Sequence, residues 1–99
     1  MIEVRETPEF SQWLRRLRDN QARARIAARI RRLAFGNPGD VKPAGGGISE
    51  MRIDYGPGYR VYFKALSAES VVVLCGGDKT TQSADIKAAQ RLATSLDDD

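Results

Sequence analysis

The sequence predicts an α+β domain in the order βααβββα, an antiparallel-rich twisted sheet with an N-terminal helical hairpin packed on one face and a C-terminal helix. Three stretches carry that expectation. Residues 48–64, ISEMRIDYGPGYRVYFK, show period-two alternation on both sides of a Gly-Pro-Gly turn, the pattern of a β-hairpin. Residues 8–35 carry apolar positions at helical spacing, interrupted once at Asp19-Asn20. Residues 70–75 are apolar on both faces, as in a central strand. At 99 residues the chain has room for one small core, and residues 1–99 read as a single domain.

Taken in order, Met1 to Glu6 reads as a short strand, with Ile2 and Val4 on one face and Glu3 and Arg5 on the other. Thr7-Pro8-Glu9 then starts a helix: threonine as N-cap, proline at the first helical position, an acid in the first turn. Phe10, Trp13, Leu14 and Leu17 form its apolar stripe, and Trp13 reads as a core anchor. Asp19-Asn20 ends that helix and caps a second, from Gln21 to about Phe35, with Ile26, Ile30 and Leu33 as a narrow inner stripe. Asn37 to Gly47 reads as a loop between layers, with Gly45-Gly46-Gly47 a flexible entry to the hairpin. Leu66 to Glu69 is a polar turn before the strand Ser70 to Cys75. Gly76 to Gln82 is loosened by glycine and rich in donors, and a last helix runs from about Ser83 to Thr94.

In the hairpin, Met51, Ile53, Val61 and Phe63 share one face, while Glu50, Arg52, Asp54, Arg60, Tyr62 and Lys64 share the other. Pairing Tyr55 with Tyr59 would set Asp54 beside Arg60, Arg52 beside Tyr62 and Glu50 beside Lys64. A slip of one residue would put arginine beside valine, so the pattern selects the faces. Such a polar face is what a solvated antiparallel sheet shows, with cross-strand ion pairs. It is equally what a phosphate site needs, since guanidinium groups offer bidentate donors to phosphate oxygens.

Composition narrows the chemistry. There is no histidine, which removes the usual general base, the usual zinc ligand and any histidine-paired nucleophile. No metal site and no cofactor are expected. The single cysteine, Cys75, sits in an apolar run and reads as a small core residue. No stretch approaches the roughly 20 apolar residues of a membrane span, so a cytoplasmic protein without membrane contact is expected. Net charge is +3, unevenly placed: Arg15, Arg16, Arg18, Arg23, Arg25, Arg29, Arg31 and Arg32 face only Asp19 in their segment, and Asp97, Asp98 and Asp99 close the chain. The asymmetry favours a polyanion or an acidic protein as partner, although an arginine-rich helix face is also an ordinary solvated surface. Candidate RNA contacts are Arg23, Arg29 and Arg32 on that helix, with Lys64 and Tyr55 from the hairpin.

With the order of elements, the segments Ser49–Phe63 and Leu74–Gln82 resemble the RelE/ParE toxin superfamily, and within it the HigB-like, phage-derived addiction module killer proteins. The resemblance spans nearly the whole chain. It implies the toxin of a type II toxin–antitoxin pair, neutralised by a cognate antitoxin of helix-turn-helix type, with RelE-like members cutting mRNA in the ribosomal A site. Carried over by position, Arg60 matches the arginine used on the scissile phosphate, and Arg52 one of two basic catalytic positions. The other is Glu50 here, a reversal of charge. Lys79 approximates a further family arginine. The final helix has no counterpart of the family's catalytic tyrosine, leaving Tyr55 or Tyr62 to substitute, and either Glu50 or Asp54 to accept the 2′-hydroxyl proton. Two other readings share the fold: a ParE-like, non-enzymatic inhibitor of DNA gyrase, and a module whose arginines only dock an acidic antitoxin. Because Arg60 faces away from Met51, Val61 and Phe63, Arg60→Ala is expected to leave the fold intact.

Overall fold

Thr7 shows how local sequence sets the first layer. Its hydroxyl accepts from the Phe10 N–H and donates to the Leu74 carbonyl, so one side chain both caps a helix and ties it to the sheet. The computed structural model describes residues 1–97; Asp98 and Asp99 of the acidic end lie outside the described residues. The elements are β1 (Glu3–Glu6), α1 (Pro8–Arg16), α2 (Asn20–Ala34), β2 (Val41–Gly45), β3 (Ile48–Ile53), β4 (Tyr59–Ser67), β5 (Ser70–Gly77), a 3-10 turn (Lys79–Thr81) and α3 (Gln82–Asp97). The fold is α+β, with the expected helical hairpin and C-terminal helix, and with one strand more than the sequence pattern showed.

That strand is β2, inside the segment read as a loop. The sheet has five strands in the order β1-β5-β4-β3-β2, with β1 parallel to β5 and the other neighbours antiparallel. Pro43 and the glycines hid β2, but an edge strand needs only one row of hydrogen bonds and tolerates proline. Proline there also blunts the exposed edge.

The hairpin register differs from the expected one by two positions. Ile53 pairs with Tyr59, Arg52 with Arg60, Met51 with Val61, Glu50 with Tyr62 and Ile48 with Lys64. A shift of two keeps every side chain on its expected face and changes only its partner. The cause is the turn. Gly56 and Gly58 both take positive φ around Pro57, and Tyr55 leaves the ladder to donate its hydroxyl to Asp19 Oδ2 at 2.8 Å, under the Arg25 guanidinium.

The sheet is covered on both faces. On one, Phe10, Ile26 and Leu33 of the helical hairpin pack on Met51, Ile53, Val61, Phe63, Val71 and Val73. On the other, Ala89 and Ala93 of α3 pack on Ile48, Tyr62, Val72, Leu74 and Cys75. Alternation revealed which residues share a face; it carried no sign that α3 covers the polar one. Glu50 and Tyr62, expected on a wet face, are 1% and 0% exposed.

A bulge in β5 resets its alternation. Tyr62 pairs with Cys75 and Phe63 with Val73, leaving Leu74 extra. Gly76 therefore lies against Trp13, where an added Cβ would come within 2.4 Å of the indole ring, and Gly77 lies against Asp85, where it would come within 1.8 Å of the carboxylate. These glycines, which read as a loosened loop, are close-approach positions inside a strand. No helix among the described residues is long and apolar enough to cross a membrane.

Candidate functional site

Arg52 near the end of β3 and Arg60 near the start of β4 are cross-strand partners, so the short hairpin places two guanidiniums side by side. The chain then returns through β5 and brings Lys79, in the 3-10 turn, to the same end. Asp78 fixes that turn: its carboxylate accepts from the Thr80 N–H at 2.8 Å, and Thr81 Oγ1 accepts from the Asp78 N–H at 3.3 Å. Asp40, just before β2, and Asp54, in the hairpin turn, complete the walls. The result is a cleft of about 470 Å³ lined by Asp40, Arg52, Ile53, Asp54, Gly56, Pro57, Gly58, Arg60 and Lys79.

Its electrostatics are those of an anion site with internal counter-charges. Arg52 Nη2 donates to Asp40 Oδ1 at 2.8 Å. That hydrogen bond holds the Asp40 carboxyl below its ordinary range and raises the Arg52 pKa further. Arg52, Arg60 and Lys79 stand together there, with Asp40 against Arg52 and Glu50 against the inner edge of Arg60. Such a set of fixed donors suits a phosphodiester.

Beneath the cleft lies a buried polar cluster. Glu50 Oε2 accepts from the Tyr62 hydroxyl at 3.1 Å and from Gln82 Nε2 at 2.7 Å. Glu50 Oε1 has no hydrogen-bond partner among the described residues and lies 3.8 Å from Arg60 Nε, which is likewise buried and unpartnered. Arg60 Nη1 donates to the carbonyls of Gly58 and Tyr59 at 3.2 and 3.3 Å. Burial first, and then the Glu50 charge, pushes the Tyr62 hydroxyl well above its ordinary pKa, so it remains a donor. Of the catalytic candidates, Arg52, Arg60 and Lys79 converge on the cleft, whereas Glu50 and Tyr62 sit under it.

The candidate RNA contacts fall elsewhere. Arg29 donates from Nη1 to the Arg52 carbonyl at 2.6 Å and from Nη2 to the carbonyls of Pro38 and Asp40 at 2.9 and 3.2 Å, stapling α2 to β3 and to the segment that leads into β2. Burial draws its pKa down. Arg32 is exposed and shares with Arg25, Ala28 and Arg29 a groove of about 300 Å³ that meets the cleft at Ile53 and Asp54. Arg23 donates to Asn20 at the start of α2. Tyr55 is held by Asp19 beside Arg25, and Lys64 pairs with Ile48 at the far end of the hairpin. Cys75 is a free, buried thiol, pushed up to about 12 chiefly by burial.

Asp40 and Gln82 escaped individual notice in the sequence. Asp40 lies in the segment whose prolines and glycines read as a loop and carries no local signal; Gln82 stands in the donor-rich stretch after the central strand, which is its only sign. Among the described residues no group of three or more acidic, cysteine or histidine side chains is placed to hold a metal ion.

Residues 12–96, covering β3, β4 and all of the cleft, match the family described as phage-derived protein Gp49-like. The chain belongs to the Gp49-like family. This Gp49-like protein is also similar to a Haemophilus influenzae protein described as uncharacterized, with 52% identity over 95 residues that cover 96% of each chain. No solved structure matches the chain.

Proposed function

We propose that this Gp49-like protein is the toxin of a type II toxin–antitoxin module. In this reading it cuts mRNA on the ribosome, acts in the cytoplasm, and is held in check by a cognate antitoxin, expected to be of helix-turn-helix type. The observation that carries the reading is the convergence of Arg52, Arg60 and Lys79 on one cleft, with Asp54 on its wall. A phage-derived family and the resemblance to RelE- and HigB-like toxins point the same way.

The chemistry follows from the donors present. The ribose 2′-hydroxyl attacks the adjacent phosphorus and passes its proton to Asp54, whose carboxylate lines the cleft; Glu50, buried beneath, has no access to a ribose. The bond from phosphorus to the 5′-oxygen breaks, leaving a 2′,3′-cyclic phosphate and a 5′-hydroxyl that takes its proton from Lys79 or water. Charge building on the phosphoryl oxygens is met by Arg60 and Arg52. One such preorganised donor is commonly worth ~10²–10³ in rate. The shallow cleft orients little of a long RNA, which is why the ribosome would supply alignment.

The test is primer extension on a defined mRNA in a purified translation system, with and without ribosomes. Arg60→Ala is a poor probe, since Arg60 stands against the buried Glu50 and truncation strands that carboxylate. Arg60→Lys keeps the charge and loses the fork, and Lys79→Ala changes an exposed side chain. Ribosome-dependent cuts that fall by at least ~10²-fold in Arg60→Lys are expected. Intact mRNA in every wild-type lane would overturn the nuclease. It would favour the gyrase-inhibitor reading, and a supercoiling assay would then decide.

A further inference from the structure

Glu50 stands where the resemblance implies a basic residue, and Tyr62 is one of two tyrosines on the hairpin that it leaves to stand in for the family's own, yet both are buried, Tyr62 against Ala89 and Ala93 of α3 and Glu50 against Gln82. A buried carboxylate is costly unless its charge is matched, so its retention calls for a partner. Oε2 is fully engaged by the Tyr62 hydroxyl and Gln82 Nε2. Oε1 has one ion-pair partner within 4 Å among the described residues, the Nε edge of Arg60, and neither atom has a hydrogen-bond partner. Tyr62 comes from β4, Gln82 from the start of α3 and Glu50 from β3, so three elements fix the carboxylate rigidly.

We infer that Glu50 is a positioning residue: clamped by Tyr62 and Gln82, it holds the Nε edge of Arg60 from below and so aims the guanidinium at the cleft. The inference rests on the nuclease reading for its kinetic consequence, but its structural half stands independently. It also accounts for the reversal of charge at position 50. A cation there would be buried beside Arg60, whereas a carboxylate anchors the arginine that meets the phosphate. The 3.8 Å separation marks an ion pair without a hydrogen bond, and it leaves the guanidinium a short travel toward Oε1.

Glu50→Gln isolates this role. The amide oxygen can still accept from Tyr62 and Gln82, so the cluster keeps its packing, while the amide NH₂ faces Arg60 Nε with a donor against a donor. The first readout needs no activity: the side-chain Nε–Hε resonance of Arg60 in a proton–nitrogen NMR spectrum. A slowly exchanging resonance is expected in the wild type at neutral pH and its loss in Glu50→Gln. The second is ribosome-dependent cleavage, where kcat should fall on the order of tenfold or more with KM little changed, because phosphate contacts survive but their aim does not. Gln82→Ala, which loosens the clamp and keeps the charge, should fall between wild type and Glu50→Gln on both readouts, and it serves if Glu50→Gln does not fold. A resonance absent from the wild type, a resonance unchanged in the variants, or a KM effect without a kcat effect would overturn the inference. A wild type that shows the resonance and cuts nothing would remove the nuclease reading and leave the positioning of Arg60 standing.

Discussion

Arg29 illustrates how far a side chain's surroundings can differ from its sequence context. In a helix crowded with arginines it looks interchangeable with Arg32, but its guanidinium gathers the carbonyls of Pro38, Asp40 and Arg52. Two of those carbonyls lead into β2 and the third lies in its neighbour β3, so the interaction fixes the start of the edge strand and with it Asp40 in the cleft wall. Arg29→Ala strands several acceptors at once and should destabilise by about 1–3 kcal/mol. For a domain of this size each kcal/mol lowers Tm by roughly 4–8 °C, measurable by calorimetry. Arg32→Ala, at an exposed position, should leave Tm within about 4 °C, since surface changes away from such features stay near ±0.5 kcal/mol. Equal shifts in the two variants would refute the staple.

At the scale of elements, α3 decides what kind of sheet this is. Its inner face is Ala89 and Ala93, 0% and 4% exposed, small enough to bring the helix close over Tyr62, Val72 and Leu74. Close approach is what buries Glu50 and lets Gln82 reach it. Ala89→Leu should lift the helix and cost about 1–3 kcal/mol by overpacking. Denaturant titration should show the lower midpoint, and the Arg60 Nε–Hε resonance should broaden as Gln82 withdraws. A midpoint shift without that broadening would mean that Glu50 keeps its place without α3. Periodicity identified α3 as a helix and even its weak apolar positions, but a stripe of alanines carries no statement of which sheet face it covers.

For the whole molecule, net charge and its placement govern association. Cleft and α2 groove share Ile53 and Asp54 in their walls. Binding of single-stranded RNA should weaken with salt, with a log–log slope of about −2 if the three cleft cations each meet a phosphate. Arg52→Ala should reduce that slope by about 0.7, as one lost contact on a single strand requires. Fluorescence anisotropy of a labelled oligonucleotide across salt concentrations measures both, and a salt-independent affinity would remove phosphate recognition from the cleft.

Local physics made much of this protein legible from its residues alone. Caps at Thr7 and Asp19, helical spacing in residues 8–35, and alternation around Gly56-Pro57-Gly58 determined the α+β class, the order of most elements and the face of each hairpin residue. Alternation also set Arg52 and Arg60 on one face, and the resemblance to RelE-like toxins added Lys79. Tertiary structure alone decided the partners: a two-residue register, an edge strand through Pro43, and a helix laid over the polar face. Alternation and capping depend on neighbours a few residues apart, whereas burial depends on which distant surface arrives. Glu50 therefore reads as a solvated charge in the sequence and becomes, once α3 lies over it, a buried carboxylate against Arg60.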